Sequence, residues 1–280
     1  MPACLLCLLL ALPALAAPPT APYQPDADTV LLWHFDDAAA ASAVDSSPAG
    51  DHPGTVTGAT TVEGRFGRAL RWSEETGQVV ARGDLRLDDS FTVEAWVRLD
   101  KLPTGQPPFW AADVLGKLAS FFIAIRPPGV LYVGLQVGAQ TNWLSGQTVL
   151  PVGEWAHLAL VYDGPASKAG VYVNGHRDTE FDLVLGSDRR LHHSDSPFFL
   201  RSYSGGDEKL VGAIDEVRLL ARAETFGQPW SSAAYLHPLR YRAAFLVGAR
   251  LSPSPAGAAQ ELRFSLAEPS GRELIGQRLT

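Results

Sequence analysis

The run Phe91–Leu99, FTVEAWVRL, alternates without a break. Phe91, Val93, Ala95, Val97 and Leu99 are apolar, and Thr92, Glu94, Trp96 and Arg98 stand between them. Successive side chains of a strand point to opposite faces, so the run has one apolar face and one mixed face. It is rich in β-branched and aromatic residues, carries no Gly or Pro, and is long for a strand. A strand of this kind belongs at the centre of a sandwich, with neighbours on both edges and an apolar layer over one face.

The rest of the chain supplies those partners. Thr29–Phe35 (TVLLWHF) is apolar on both faces, as in a buried sandwich strand. Asp45–Gly58, rich in Gly, Pro, Ser and Asp, reads as turns, and short strands follow at Ala69–Trp72 and Gln78–Ala81. Beyond the central strand, Lys101–Asp113 reads as a long loop, and Phe121–Arg126, Val130–Val137 and Trp155–Tyr162 read as strands. Val171–Val173 leads into Asn174-Gly175, a hairpin signal because both turn residues must accept positive φ. Pro197–Arg201 and Leu210–Leu220 complete the set. No helical period holds for three turns before residue 221, so the pattern predicts an all-β sandwich. Residues 224–280 read as a small C-terminal β extension, with strands at Tyr241–Leu251, Glu261–Leu266 and Glu273–Leu279. Three strands are too few for an independent sandwich, so this is a connector or a partial module.

Residues 1–16 read as a signal peptide. Leu5–Leu12 is its apolar core, and Ala14 and Ala16 supply the small residues before cleavage at Ala17, although the leading end lacks Lys and Arg. Residues 17–28 read as a Pro-rich linker. The leader is too short for a permanent anchor, and no later stretch is apolar for long enough to cross a membrane. Cys4 and Cys7 both lie in the leader, so a mature chain would have no thiol nucleophile, Cys-ligated zinc or disulfide. These features predict a secreted, periplasmic or cell-surface protein. The net charge of −7 argues against a nucleic-acid partner. Val217–Thr280 is the exception, with eight Arg against four Glu, and reads as a solvated face.

LLWHFDD, GRFGRAL, FTVEAWVRL, VGEWAHLALVYDG, VYVNG and VGAIDEVRLLARA follow one another at sandwich-like spacing. Together they resemble the laminin-G-like jelly roll of the concanavalin A-like lectin and glucanase superfamily, over Val30–Ala223. The resemblance implies a two-sheet antiparallel jelly-roll sandwich over 29–223, with one concave sheet. Members commonly bind glycans or proteins, many as accessory modules of larger proteins. This chain departs from them by its Pro-rich insert at 103–113 and by Arg201, where such strands often run into Gly.

The same fold hosts enzymes. Laminarinase-type relatives carry E-x-D-x-x-E on one strand, with the last Glu as acid/base. Here Glu180-Phe181-Asp182 is followed by Leu185 where that Glu belongs. There is no G-x-S-x-G, H-E-x-x-H or Walker loop. His192-His193 are adjacent, a poor geometry for chelation, and His157 reads as a packed strand residue. Arg82-Gly83-Asp84 reads as the turn before the central strand. The expectation is a non-catalytic module binding an extracellular ligand, foremost a glycan. The alternatives are an adhesion module for an extracellular protein and a polysaccharide-active enzyme with a site assembled across strands.

Phe109, Trp110, Asn142 and Trp143 fall in segments read as loops and are candidates for an aromatic wall around a ligand. Trp96, on the mixed face of the central strand, is a candidate for the concave sheet. Packing is the competing role for each aromatic. Strand alternation in GAIDEVRL groups Ala213, Asp215 and Val217 on one face and Ile214, Glu216 and Arg218 on the other. A carboxylate among apolar neighbours is costly unless paired or bound to metal. In the resembled fold the last strand lies beside the first, near Asp36, and many relatives place a calcium there. Calcium takes roughly six to eight oxygens and accepts carbonyls and waters. A structural calcium on Asp36 and Asp215 is therefore expected, the alternative being hydrogen bonds from backbone N–H groups or from Arg65 or Arg68.

Overall fold

The computed structural model describes residues 17–37, 41–73, 76–81, 84–104, 111–183, 185, 187–201 and 208–230, and the backbone of three strands at 246–251, 262–267 and 273–279. The expected signal peptide, Arg82-Gly83, and the candidate ligand residues Phe109 and Trp110 lie outside the described residues. The chain divides into two compact units between Trp230 and Ser231.

The first unit is a two-sheet β-sandwich, with no helix among the described residues. In spatial order its first sheet runs β14 (His176–Asp182), β13 (Lys168–Val173), β12 (Trp155–Asp163), β7 (Ser90–Leu99), β17 (Gly212–Leu220), β5 (Arg68–Trp72) and β4 (Thr60–Glu63), and β1 (Thr29–Trp33) also pairs with β17. The second runs β11 (Gln140–Ser145), β10 (Val130–Val137), β9 (Phe121–Arg126), β8 (Ala112–Lys117), β15 (Phe198–Leu200), β6 (Gln78–Ala81), β3 (Gly54–Thr57) and β2 (Ser42–Ala43). These pairings are antiparallel; the short β16 (Glu208–Lys209) pairs parallel with β8. No helix of the described residues is long and apolar enough to cross a membrane.

The alternating run is the central strand β7. It pairs with β12 from Ser90↔Asp163 to Arg98↔Trp155, and with β17 on its other edge. Phe91, Val93, Ala95, Val97 and Leu99 enter the core between the sheets. There Phe91 meets Phe121 at 4.9 Å, and Trp33 meets Phe198 at 5.7 Å. Burying one such side chain stabilises the fold by about 1.5–3 kcal/mol, and this continuous layer holds the sheets together.

Several local readings are corrected. The stretch read as turns holds the short strand β3, with β2 and β4 on either side of it, and the expected loop at 101–113 ends in β8. Asn142 and Trp143 lie on strand β11, not in a loop. β11 and β14 are edge strands with little burial, so neither carries an apolar period. Asn174 and Gly175 do form the expected hairpin turn between β13 and β14, at φ 51° and 76°. Arg201 also has a positive φ, 65°, which explains why a glycine suits that position. Its buried guanidinium lies 4.8 Å over Trp72 and donates to the carbonyls of Leu210, Thr76 and Gly77.

Both ends of the first unit fold back over the outer face of its first sheet. In the segment read as a linker, Tyr23 is buried, its backbone N–H donates to Glu216 Oε2 at 2.9 Å, and the Arg218 guanidinium lies 4.2 Å from its ring centre. At the other end, Phe226 packs on Tyr172 at 4.9 Å and on His157 at 5.5 Å. Trp230 Nε1 donates to Asp163 Oδ2 at 2.6 Å. The sandwich therefore ends at Trp230 rather than at residue 223. The second unit contains an antiparallel meander, β18 (Leu246–Leu251), β19 (Leu262–Ala267) and β20 (Glu273–Leu279), close to the expected strands.

The packing of 224–230 yields a prediction. A chain cut after Ala223 should melt well below one cut after Trp230, because it exposes the Tyr172 and His157 surface. Equal thermal midpoints in circular dichroism would show that the segment adds nothing to the fold.

Candidate ligand-binding face

On β10, Leu131, Val133, Leu135 and Val137 point into the core, so Tyr132, Gly134 and Gln136 point outward. The register aligns Ser145, Tyr132 and Ala124 in one row, and Trp143, Gly134, Phe122 and Gly116 in the next. Trp143 is 60% exposed. Its ring lies parallel to that of half-buried Tyr132, at 9° and 5.8 Å between centroids. Phe122 closes the triangle at 5.9 Å from each. Gly134 makes this arrangement possible, because a Cβ there would sit 2.2 Å from the Phe122 ring. The Arg126 guanidinium lies 5.0 Å from the Tyr132 ring centre. The result is a rigid, exposed indole backed by a second ring, with Gln136, Thr141 and Ser145 on the same face. Such a surface matches the apolar face of a sugar ring or an aliphatic side chain.

The outer face of the first sheet is closed. Glu94 and His157 are fully buried there, with Glu94 Oε2 2.8 Å from His157 Nε2. Glu94 Oε1 accepts from Arg218 Nε and Nη2 at 2.8 and 2.6 Å. Burial opposes ionisation of Glu94, but His157 and Arg218 outweigh it and hold the carboxyl below its ordinary range. Trp96 lies on this face as read, but it is only 2% exposed. Phe66 meets it edge-on at 6.0 Å, His157 packs at 5.6 Å and the Arg65 guanidinium lies at 4.6 Å. Its place is structural, under cover, and the expectation that it lines an open sheet is corrected.

Trp143 and Asn142 do not share a surface. They are neighbours on one strand, and Asn142 takes the side of buried Leu144. Sequence reasoning misses Tyr132, Phe122 and Arg126. The available signal is the presence of Phe122, Arg126 and Tyr132 among the outward positions of FFIAIR and LYVGLQV. Glu180 is ion-paired with Lys168 and Arg177, and Asp182 with Lys168. His192 Nδ1 lies 2.8 Å from Ala119 O, whereas His193 Nε2 lies 3.4 Å from Asp84.

Asp36 and Asp215 hold the same loop, Gly64–Arg68. Asp215 Oδ2 accepts the Phe66 N–H at 3.0 Å, and Asp36 Oδ1 accepts the Arg68 N–H at 2.8 Å. The hydrogen bonds therefore come from backbone N–H groups rather than from arginine side chains. Asp215 Oδ1, by contrast, is buried without a hydrogen-bond partner. Burial pushes the Asp215 carboxyl up to about 7, against the Phe66 N–H, which favours the charged form. Next to it, Glu216 Oε1 lies 2.8 Å from His34 Nδ1, a contact that raises the His34 pKa. A lone buried carboxylate oxygen suits a hard cation such as calcium. Among the described residues no group of three or more His, Cys, Asp or Glu is placed to hold a metal, so carbonyls and waters would have to complete a shell.

Two packed antiparallel sheets, one with a closed outer face and one with an exposed aromatic, define a β-sandwich. The chain belongs to the concanavalin A-like lectin/glucanases superfamily, whose laminin-G-like family model matches residues 73–226. Among curated proteins, none matches the chain. Solved structures share the fold at low identity. Domain 4 of AbnA, an extracellular arabinanase from Geobacillus stearothermophilus solved with arabinotriose, is 21% identical with a TM-score of 0.54, over 72% of this chain and 96% of that one. The binding domain of Paraclostridial Mosquitocidal Protein 1 is 12% identical with a TM-score of 0.57, over 85% of this chain and 64% of that one. Trypanosoma rangeli sialidase is 18% identical with a TM-score of 0.53, over 76% of this chain and only 34% of the sialidase. These neighbours include both enzymes and binding domains, and the fold alone does not decide between them.

The raised Asp215 pKa has a signed consequence. A carboxyl that titrates near 7 when folded and near 3.8 in its ordinary state favours folding in its protonated form. That contribution is complete below the ordinary value and is lost as pH rises toward 7. In the presence of a chelator, the melting temperature of the parent relative to Asp215→Asn should therefore fall between about pH 4 and about pH 7. A constant difference across that range would show that Asp215 is ionised in the fold.

Proposed function

We propose that this protein is a non-catalytic, secreted or surface-exposed module that binds a glycan across the Trp143–Tyr132 stack. The observation that carries the reading is an exposed indole held parallel to a second ring on the outer face of the second sheet. An aromatic of this kind is large, rigid and loses little entropy on binding, as binding hot spots require. The arabinotriose-bound neighbour supports a carbohydrate ligand for this fold. A non-catalytic role is supported by Glu180 being ion-paired with both Lys168 and Arg177, and by Glu94 lying under cover. Recognition of a protein is a second reading, favoured by the exposed apolar Leu102, Val149 and Val152.

Trp143→Ala should weaken binding of a glycan-array hit at least tenfold, about 1.4 kcal/mol or more, by isothermal titration. Its melting temperature should stay close to the parent's, because the side chain is mostly exposed. Full binding by the variant sinks the glycan reading.

We also propose a structural calcium, with Asp215 Oδ1 and Asp36 as its carboxylate ligands. The unpartnered Oδ1 supports it, and bound calcium would hold the Gly64–Arg68 loop against β17. Adding calcium to chelated protein should raise the melting temperature by mass action, about 2.7 kcal/mol at a hundredfold excess over Kd. Asp215→Ala should lose that response. A parent melt unmoved by calcium would falsify the assignment.

A further inference from the structure

We infer that the glycan carries an anionic group, a carboxylate or a sulfate, which Arg126 receives; the inference rests on the glycan-binding reading and narrows it. Arg126 stands opposite Val130, two positions before Tyr132, and Trp143 stands opposite Gly134, two positions after it. The three outward side chains therefore form a row along β10, with Tyr132 in the middle. The Tyr132 ring lies parallel to the indole and also holds the Arg126 guanidinium. The guanidinium is thus within about 11 Å of the indole centre, 5.0 Å to the Tyr132 centre and 5.8 Å beyond it. A sugar seated on the indole and its neighbour in the same glycan span that distance.

Arg126 is prepared for this role. It is half-buried, and among the described residues its side chain touches the Tyr132 ring and forms no ion pair. Contact with a ring face fixes a guanidinium in place without using its N–H groups. Those donors lie in one plane and match the paired oxygens of a carboxylate or a sulfate. Two further basic side chains stand past Trp143 at the other end of the row, His192 beside Gln136 and Arg190 beside Gly138. Both are already engaged. Arg190 donates to Asp188 at 3.0 and 3.1 Å, and His192 Nδ1 lies 2.8 Å from Ala119 O. The chain's net charge of −7 opposes a polyanion at long range. That field is screened over about 8 Å at physiological salt, whereas a guanidinium–anion pair acts at contact. A glycan with isolated anionic groups therefore suits the face better than a densely charged one.

The test is titration calorimetry on the full chain, at low and high salt. Neutral oligosaccharides are compared with two acidic series of equal length, one bearing uronate and one bearing sulfate esters. The expected result is that one acidic series binds at least about tenfold more tightly than the neutral one, and that high salt narrows the gap. The series that gains more identifies the anion. Arg126→Gln should remove the gap while neutral affinity and melting temperature stay at the parent's values, and Trp143→Ala should weaken every series. Neutral sugars bound as well as acidic ones, or an acidic preference that survives Arg126→Gln, overturns this inference and leaves the glycan reading standing. Equal loss of neutral and acidic binding in Arg126→Gln does the same, because it makes Arg126 a support for Tyr132 alone. Binding of no series, or binding indifferent to Trp143, overturns the glycan reading and this inference with it.

Discussion

The buried Glu94 carboxylate is the constraint around which the first sheet is arranged. It lies on the central strand, on the face away from the core, where open solvent would have been the ordinary place for it. Instead His157 on β12 and Arg218 on β17 approach from both neighbouring strands and saturate both of its oxygens. A buried charge is tolerated only when it is paired and hydrogen-bonded, and removing one partner typically costs about 3–5 kcal/mol. The network therefore ties β7 to both of its neighbouring strands. It also requires a cover. Tyr23 lies against Arg218 and Phe226 against His157, so both ends of the unit are drawn over the sheet that holds the charge.

That cover leaves the two outer faces unlike. With the outer face of the first sheet closed by 17–28 and 221–230, an exposed aromatic surface remains on the second sheet. There the outward residues of β9, β10 and β11 are the aromatics Phe122, Tyr132 and Trp143, spaced by Gly134. The glycine is a packing requirement, since any side chain at that position would collide with the Phe122 ring that supports Trp143. On the proposed binding role, stability and recognition are divided between two sheets, charge under cover on one and aromatic surface on the other.

Elements with long apolar runs were legible in the sequence: β1, β7, β9, β10, β12 and β17 all stand where those runs lie, and the Asn174-Gly175 turn was marked by its chemistry. Edge strands were not, because an edge pairs on one side only and β11 and β14 bury too little to show a period. Of the candidate site, Trp143 was visible as a large aromatic in a polar stretch, but Tyr132 and Phe122 were hidden inside strands assigned to the core. Trp96 was placed on the correct face, yet its burial depends on Phe66 and His157, which are distant in the sequence. Contacts of that kind leave no local pattern. The same limit applies to Tyr23, whose Pro-rich surroundings read as a linker.

The most informative failure of simple alternation is in β17. A regular strand would put Val217 with Asp215 and Arg218 with Glu216, on opposite faces. The register slips between Asp215 and Arg218, and Glu216 sits at φ 50°. One extra residue in a strand reverses the phase of everything after it. Ile214, Val217 and Leu219 therefore all reach the core, while Asp215 stands opposite Trp96 and Arg218 opposite Glu94 on the outer face. Without the bulge, Arg218 would point into the apolar layer and Glu94 would lose one of its two partners. The bulge thus does two things at once. It completes the charge network that fastens β7 to its neighbours, and it brings the adjacent carboxylates of Asp215 and Glu216 to the strand's bend. There Glu216 is held by His34 and by the Tyr23 N–H, and Asp215 is left with one oxygen to spare.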